Sequence, residues 1–470
     1  MREELYFNVG DKPSFGKNLV FALQQLLAIL AATIAVPAII KNGMSQSAAL
    51  FGAGVGTLVY LLFTRFKSPV FLGSSFAFLG SMTAAFAGAV SMNAGFLGLI
   101  LGAFFAGLVY VILALCVKFT GTKWVDKLMP AVIIGPTVAI IGLSLAGNAV
   151  GDLMSGSVYN ELGISVASPW LALLCGLVTL FVTIASSVYG KKMIKMIPFI
   201  IGILAGYALA AIFTGIGYAA NVDKLKIINF ELFKNMKWLP DFTFIKAFKS
   251  FGDFGSPAKF FTYMGTIAVA YVPVAFVVFA EHIADHKNLS TIIGKDLLKE
   301  PGLDNTLLGD GIGSFAGAFF GGCPNTTYGE SIGCVAISRN ASVYTICTTA
   351  IIAILISFFA PFVTFLATIP SCVMGGVCIA LYGFIAVSGL KMLQNVDLGD
   401  SKNLFVVSVI LIAGVGGLTL NVYSGGELLI QITEVACALI LGILVNLLVS
   451  FKKPNKEVEN SSSQKDDLDK

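Results

Sequence analysis

Long apolar stretches alternate along the chain with short polar ones. The apolar runs fall near residues 17–40, 46–64, 70–90, 94–117, 128–150, 167–189, 197–214, 261–285, 303–320, 324–338, 341–360, 369–390, 403–420 and 428–450. About 20 apolar residues span a hydrocarbon core as a helix. The pattern therefore predicts an all-α polytopic membrane protein with fourteen transmembrane segments. Two runs differ from the rest. PVFLGSSFAF at 69–78 and PNTTY at 324–328 open with proline, continue through small polar residues and reach an aromatic. Both favour extended backbone over helix, so short extended segments are expected in spans three and ten. The polar tail 451–470, with SSSQKDD, reads as disordered.

A weak internal repeat organises these runs. LMPAVIIG at 128–135 and TIPSCVMG at 368–375 each place a glycine five residues after a proline, at the opening of an apolar run. This pairing and that of 69–78 with 324–328 both align spans one to seven with spans eight to fourteen. Seven is odd, so the second half must enter the membrane from the opposite side. Two inverted seven-span repeats follow, an arrangement that places a substrate site between broken helices near the midplane. Lysine and arginine set the orientation. With the N-terminus inside, the inner loops carry Arg65, Lys67, Lys118, Lys123, Lys127, Lys191, Lys192, Lys195, Lys287, Lys295, Lys299, Lys391 and Lys402, and the tail adds Lys452 and Lys453. The long loop 215–260 dissents, with seven lysines on the outside.

Composition agrees with this reading. Of the 470 residues 57% are hydrophobic and 12% charged, about half the charge of a soluble domain. The 50 glycines suit close helix packing, and the 38 phenylalanines suit lipid-facing surface. The net charge of +4 says little about partners, and no nucleic-acid partner is expected. The eight cysteines lie in or beside apolar runs and form no C-x-x-C pair. They are expected as free thiols, with no metal site and no cofactor. No cleavable signal peptide is expected, because the first apolar run leads straight into further membrane pattern.

Ionisable groups inside spans are costly and by default functional. Eighteen uncharged residues, Tyr263 to Ala280, precede Glu281. On a helix Glu281 and Asp285 share one face, while His282 and His286, the chain's two histidines, share the next. Glu281, with Asp285 and His282 nearby, is the candidate proton carrier; His286 and Lys287 read as the end of the span. The segment Cys323 to Glu330 supplies a second constellation. A half-helix starting near Thr327, after Pro324, would turn its first amides inward, with Tyr328, Gly329 and Glu330 at its start. The counterpart Gly73-Ser74-Ser75-Phe76 is expected to present further free amides, with the Phe76 ring as a stacking face. Carboxylates that accept, amides that donate and an aromatic face suit uracil, and equally other neutral, donor-rich solutes. A nucleophile or metal cluster is not seen, so an enzyme is not expected.

The segments QQLLAILAATIAVP (24–37), LGSSFAF (72–78), AEHIADHKNL (280–289), KDLLKEPGL (295–303) and PNTTYGESIG (324–333) closely resemble the uracil permeases of the nucleobase–cation symporter (nucleobase–ascorbate transporter) family. The resemblance runs from about residue 17 to 450. It implies a fourteen-span fold of two inverted seven-span repeats, divided into a core and a gate. The core takes 17–119 (spans one to four) and 261–360 (spans eight to eleven). The gate takes 120–214 (spans five to seven) and 361–450 (spans twelve to fourteen). Residues 1–16 form a cytoplasmic N-terminus, 215–260 an extracellular loop and 451–470 a disordered cytoplasmic tail. Base contacts are implied for Glu281, Gly329, Glu330 and Phe76, and Ser75 and Tyr328 flank them. Two positions depart from the family pattern: Gln24-Gln25 replaces a Gln-His pair, and Asp285 replaces a histidine in a version like the Gram-positive type. The expected activity is uracil import by proton symport across a bacterial inner (plasma) membrane, through alternating access. Uracil, protons and the bilayer are the expected partners, with a homodimer left open. Purine (xanthine or urate) or anion transport on the same fold, or a channel, are the competing readings. The TTYGE pattern favours uracil over purines.

Overall fold

The structure is a computed structural model. It describes residues 5–122, 124–125, 129–160, 164–191, 193–424 and 427–450. The expected tail 451–470, with Lys452 and Lys453, lies outside the described residues, as do Lys123, Lys127 and Lys192.

The principal elements follow the apolar runs. They are α1 (Phe15–Ile40), α2 (Gln46–Phe63), β1 (Leu72–Ser74), α3 (Leu79–Ala87), α4 (Met92–Thr120), α5 (Ala131–Ser144), α6 (Ala146–Asp152), α7 (Pro169–Tyr189), α8 (Pro198–Ala219) and α9 (Thr243–Lys249). Next come α10 (Pro257–Ile293), α11 (Leu303–Gly321), β2 (Asn325–Thr327), α12 (Gly329–Ser338), α13 (Val343–Ile356), α14 (Ala360–Thr368) and α15 (Ser371–Lys391). The last are α16 (Ser401–Val415), β3 (Leu420–Ser424), β4 (Glu427–Ile432) and α17 (Glu434–Ser450). Among the described residues, eight helices are long and apolar enough to cross a membrane. Local chemistry sets their ends: the side chains of Ser45, Ser91 and Ser256 accept from the first turns of α2, α4 and α10, and Gly294 ends α10 in the left-handed region.

The expected extended segments are present as the strands β1 and β2. Two expected spans need correction. The runs 403–420 and 428–450 are not two full-length helices, because residues 420–432 turn back as an antiparallel hairpin, β3 on β4. β-Branched and alternating residues in LNVYS and ELLIQI favour strand. Span eight is longer than expected: α10 runs 37 residues, roughly 56 Å. α14 leaves the axis of α13 at 86°.

The helices pack in two sets. In the first, α2 lies against α11 and α13, α4 against α10 and α11, and α1 against α2 and α13. In the second, α5 lies against α15, α16 and α17, α7 against α8 and α15, and α16 against α17. Sparser contacts join the sets, where α10 meets α5 and α17, and α1 meets α8 and α15. Small residues let the first set close. A Cβ on Gly52 would strike the Gly317 carbonyl, and one on Gly56 the Gly313 carbonyl. Close backbone approach of this kind replaces hydrophobic drive where the solvent is itself apolar. The Asn325 side chain fills the hollow between Gly56 and Gly317, and its Nδ2 donates to Gly52 O at 3.2 Å.

The chain's start is tied to the turn after α12. Tyr6 N donates to Arg339 O at 2.8 Å and Ala341 N to Phe7 O at 2.9 Å. The C-terminal end of α12 therefore lies on the same face as the N-terminus.

Candidate substrate site

The site is built where the two broken spans cross. β1 and β2 pair antiparallel, with Leu72 opposite Thr327, Gly73 opposite Thr326 and Ser74 opposite Asn325. The ladder continues through Ser75 N, which donates to Pro324 O at 2.9 Å, and Tyr328 N, which donates to Phe71 O at 3.3 Å. Neighbouring side chains hold this backbone. Leu72 N donates to Thr57 Oγ1 at 2.9 Å, and Phe71 N to Ser331 Oγ at 3.0 Å. Gln25 Nε2 donates to the same Ser331 Oγ at 2.5 Å, so α1 is tied to α12. The Tyr328 ring lies over Gly73, where a Cβ would meet it, and its hydroxyl donates to Ser74 O at 2.9 Å. Each strand gives way at once to helical backbone, at Phe76 and at Gly329. The first amides of these turns have no intrahelical acceptor.

Beside the crossing lies a cavity of about 320 Å³. That is within the range of small-molecule sites. Glu281 and Asp285 of α10, Phe76, Thr327, Tyr328, Gly329 and Glu330 line it. Thr327 Oγ1 donates to Asp285 Oδ2 at 2.7 Å, which links β2 to α10. The Phe76 ring stands edge-on to Tyr382 at 5.6 Å between centroids. A Cβ added to Gly329 or Gly333 would meet nothing within 4 Å, so this face of α12 is open space. Lys195, Ile337 and Ser388 in its lining are exposed and mark where the cavity reaches the surface. Ile337 is two residues from Arg339, so the mouth faces the side of the N-terminus.

Of the residues singled out from sequence, Glu281, Asp285, Phe76, Tyr328, Gly329 and Glu330 thus meet at one cavity. Two do not. Ser75 is fully buried outside its lining, and its amide is consumed by the ladder rather than left free. His282 turns to the back of α10, where Nδ1 lies 2.7 Å from Asp310 Oδ2 and Nε2 3.0 Å from Thr306 Oγ1. The half-helix starts at Gly329, two residues later than expected. Sequence reasoning passed over Asp310 and took Thr327 only as the start of a half-helix, not as a partner of Asp285. Asp310 carried a legible signal, an ionisable group deep in an apolar run. Thr327 carried none, because its role depends on which strand residue faces α10. Chemically, the cavity offers carboxylates as acceptors, helix-start amides as donors and an aromatic edge.

The comparisons agree with one another. The family described as "Permease family" (Xan_ur_permease) matches residues 16–423. A uracil permease of Bacillus caldolyticus is 40% identical over 447 residues, covering 94% of this chain and 94% of that one. A uracil permease of Bacillus subtilis (strain 168) is 38% identical over 471 residues, covering 98% and 99%. One from Escherichia coli (strain K12) is 34% identical over 455 residues, covering 96% of each. The transmembrane domain of a cyanobacterium bicarbonate transporter, BicA, shares the fold at TM-score 0.62 and 16% identity, covering 92% of this chain and 96% of that one. The inward-facing murine Slc26a9 anion transporter does so at TM-score 0.62 and 12% identity, covering 94% and 69%. With a family match over most of its length and relatives of this identity along nearly all of it, the chain belongs to this permease family and is a multi-pass membrane transporter, not an enzyme.

Proposed function

We propose that the chain imports uracil by proton symport. The observation that carries this reading is the meeting of Glu281, Glu330, Gly329 and Phe76 at one cavity between two crossed strands. Uracil presents N–H donors alternating with carbonyl acceptors. Glu281 and Glu330 accept from the N–H groups, the first amides of α12 donate to a carbonyl, and Phe76 covers the ring. Relatives named uracil permease support the choice of base. Three carboxylates at the cavity disfavour an anionic substrate, although the solved neighbours are anion transporters.

The transport step is a rocking of the first helix set, the core, against the second, the gate. The reciprocity of packing supports two inverted repeats of seven spans. α1 lies on α13 as α10 lies on α4, α2 on α13 as α11 on α4, and α7 on α15 as α16 on α5. The cavity opens on the N-terminal face, which in the proposed orientation is the cytoplasm of a bacterial plasma membrane. Glu281, with Asp285 one turn away, carries the coupled proton.

The test is uptake of labelled uracil into proteoliposomes, with and without a pH gradient and with competing bases. Accumulation that needs an inward proton gradient, is blocked by excess uracil and is untouched by xanthine or bicarbonate is the expected result. Gradient-independent leak would indicate a channel, and inhibition by xanthine a purine carrier.

A further inference from the structure

The turn of α10 that brings Glu281 and Asp285 to the cavity carries His282 to its back, against α11. His282, Asp310 and Thr306 are all fully buried there. Hydrogen-bond arithmetic constrains their protons. The Thr306 hydroxyl has one hydrogen and two neighbours that could receive it: the Leu303 carbonyl at 3.1 Å, which can only accept, and His282 Nε2 at 3.0 Å. If the hydrogen goes to Leu303, Nε2 must carry its own. The 2.7 Å contact between Nδ1 and Asp310 Oδ2 then needs a further proton, held either on the carboxyl or on the ring. If the hydrogen goes to Nε2 instead, the Leu303 carbonyl keeps only the backbone donor of its own helix. Asp310 is then a bare carboxylate in the interior, with an Oδ1 that has no hydrogen-bond partner among the described residues. The second arrangement leaves an interior charge uncompensated, which the first avoids.

We propose that Asp310 and His282 hold one proton between them and form a second proton-binding site of the transport cycle, behind the Glu281–Asp285 face of the same helical turn. The groups around the pair come from α10 itself and from three other helices. Tyr110 of α4 stands with its ring 6.3 Å from that of His282, its hydroxyl without a partner among the described residues. The His286 ring stacks on His282 at 4.0 Å and is bonded through Nε2 to Tyr60 of α2 at 2.7 Å. Glu281 and Asp285 lie on α10 itself, and Glu330 on α12. His282 adjoins Glu281 in sequence, so the charge state of the pair changes the field at the cavity carboxylate. The step is the binding and release of a proton from water, with no other bond changed.

This inference rests on the proton-coupled reading above, and one arm of its test does not. The chain has two histidines, so 15N-histidine labelling in a bilayer gives two rings to assign, and His286→Gln leaves one. The expected spectrum shows a protonated Nε2 on His282, with an Nδ1 signal that changes as pH rises and no longer does so in Asp310→Asn. A bare Nε2 in the wild-type protein overturns the pair, whatever the substrate. The second arm uses proteoliposomes. Asp310→Asn should keep uracil binding and exchange while gradient-driven accumulation falls about tenfold or more, with partial recovery in Asp310→Glu. Full accumulation in Asp310→Asn overturns the coupling role. If Asp310→Asn does not fold, His282→Gln takes its place in the proteoliposome assays, where accumulation should fall and exchange persist. A wild-type protein that shows the protonated Nε2 but does not bind uracil would sink the substrate reading and leave the pair standing.

Discussion

Lys41 Nζ lies 3.9 Å from Asp152 Oδ1, joining the end of α1 to the end of α6. α1 spans roughly 39 Å from its start near the N-terminus, so this ion pair sits on the face opposite the cavity mouth. It bridges the two helix sets where they must part if the cavity is to open the other way. Asp152→Asn should therefore favour that opening, though modestly. An exposed pair contributes up to about 1 kcal/mol, or about fivefold in population. The rate at which a cysteine introduced at Ser388 is labelled from the mouth side should fall to match. An unchanged rate would show that the pair does not hold this state.

Glu330→Gln should lose uracil binding while the fold persists. An amide replaces one acceptor oxygen by a donor, and an unpaired buried N–H costs about 1–3 kcal/mol. The dissociation constant should rise about tenfold or more, as read by calorimetry on protein of wild-type melting temperature. Unaltered affinity would remove Glu330 from the base site.

Glu281→Gln separates binding from coupling. Glutamine imitates the protonated carboxyl, so binding and exchange of labelled for unlabelled uracil should survive while pH-driven accumulation is lost. Normal accumulation across a pH series would transfer the proton to Asp285 or to the Asp310–His282 pair.

Gly329→Ala tests the open face of α12. The added methyl meets no protein atom within 4 Å, so stability should stay at the wild-type value. It would nevertheless occupy the space in which a flat base approaches the first amides. Affinity should fall about tenfold, the equivalent of about 1.4 kcal/mol. Wild-type affinity would place the substrate elsewhere in the cavity.

Asn325→Ala tests the seam rather than the site. It empties the hollow between Gly56 and Gly317 and removes the donor to Gly52 O. A loss of about 1–3 kcal/mol is expected, seen as a lower melting temperature in detergent. No loss would mean that α2 and α11 close over the gap.

Periodicity and composition made the membrane class legible, and two proline-led segments gave the positions of the strands. Glu281, Asp285 and Glu330 were legible because charge inside an apolar run is rare. The failures have physical reasons. Ser75 looked like a free amide because a single strand reads as unpaired until its partner is known, and that partner lies about 250 residues away. The hairpin at 420–432 was hidden because apolar strand and apolar helix give the same hydropathy over a short run. His282 could be assigned to a face of α10, but nothing on that helix says that Asp310 waits on the next.

The three-residue pairing of β1 with β2 also sets an order of assembly. β1 is made more than 250 residues before the strand that satisfies it. Within a bilayer, unpaired backbone amides and carbonyls have no water to turn to. The segment around Leu72 cannot settle at its final depth until Asn325–Thr327 has left the ribosome and inserted. The binding site is thus completed late in biogenesis, and the first half of the chain alone would be a substrate for membrane quality control rather than a half-built transporter. Supplied in the same membrane as a separate polypeptide, the second half brings the missing strand.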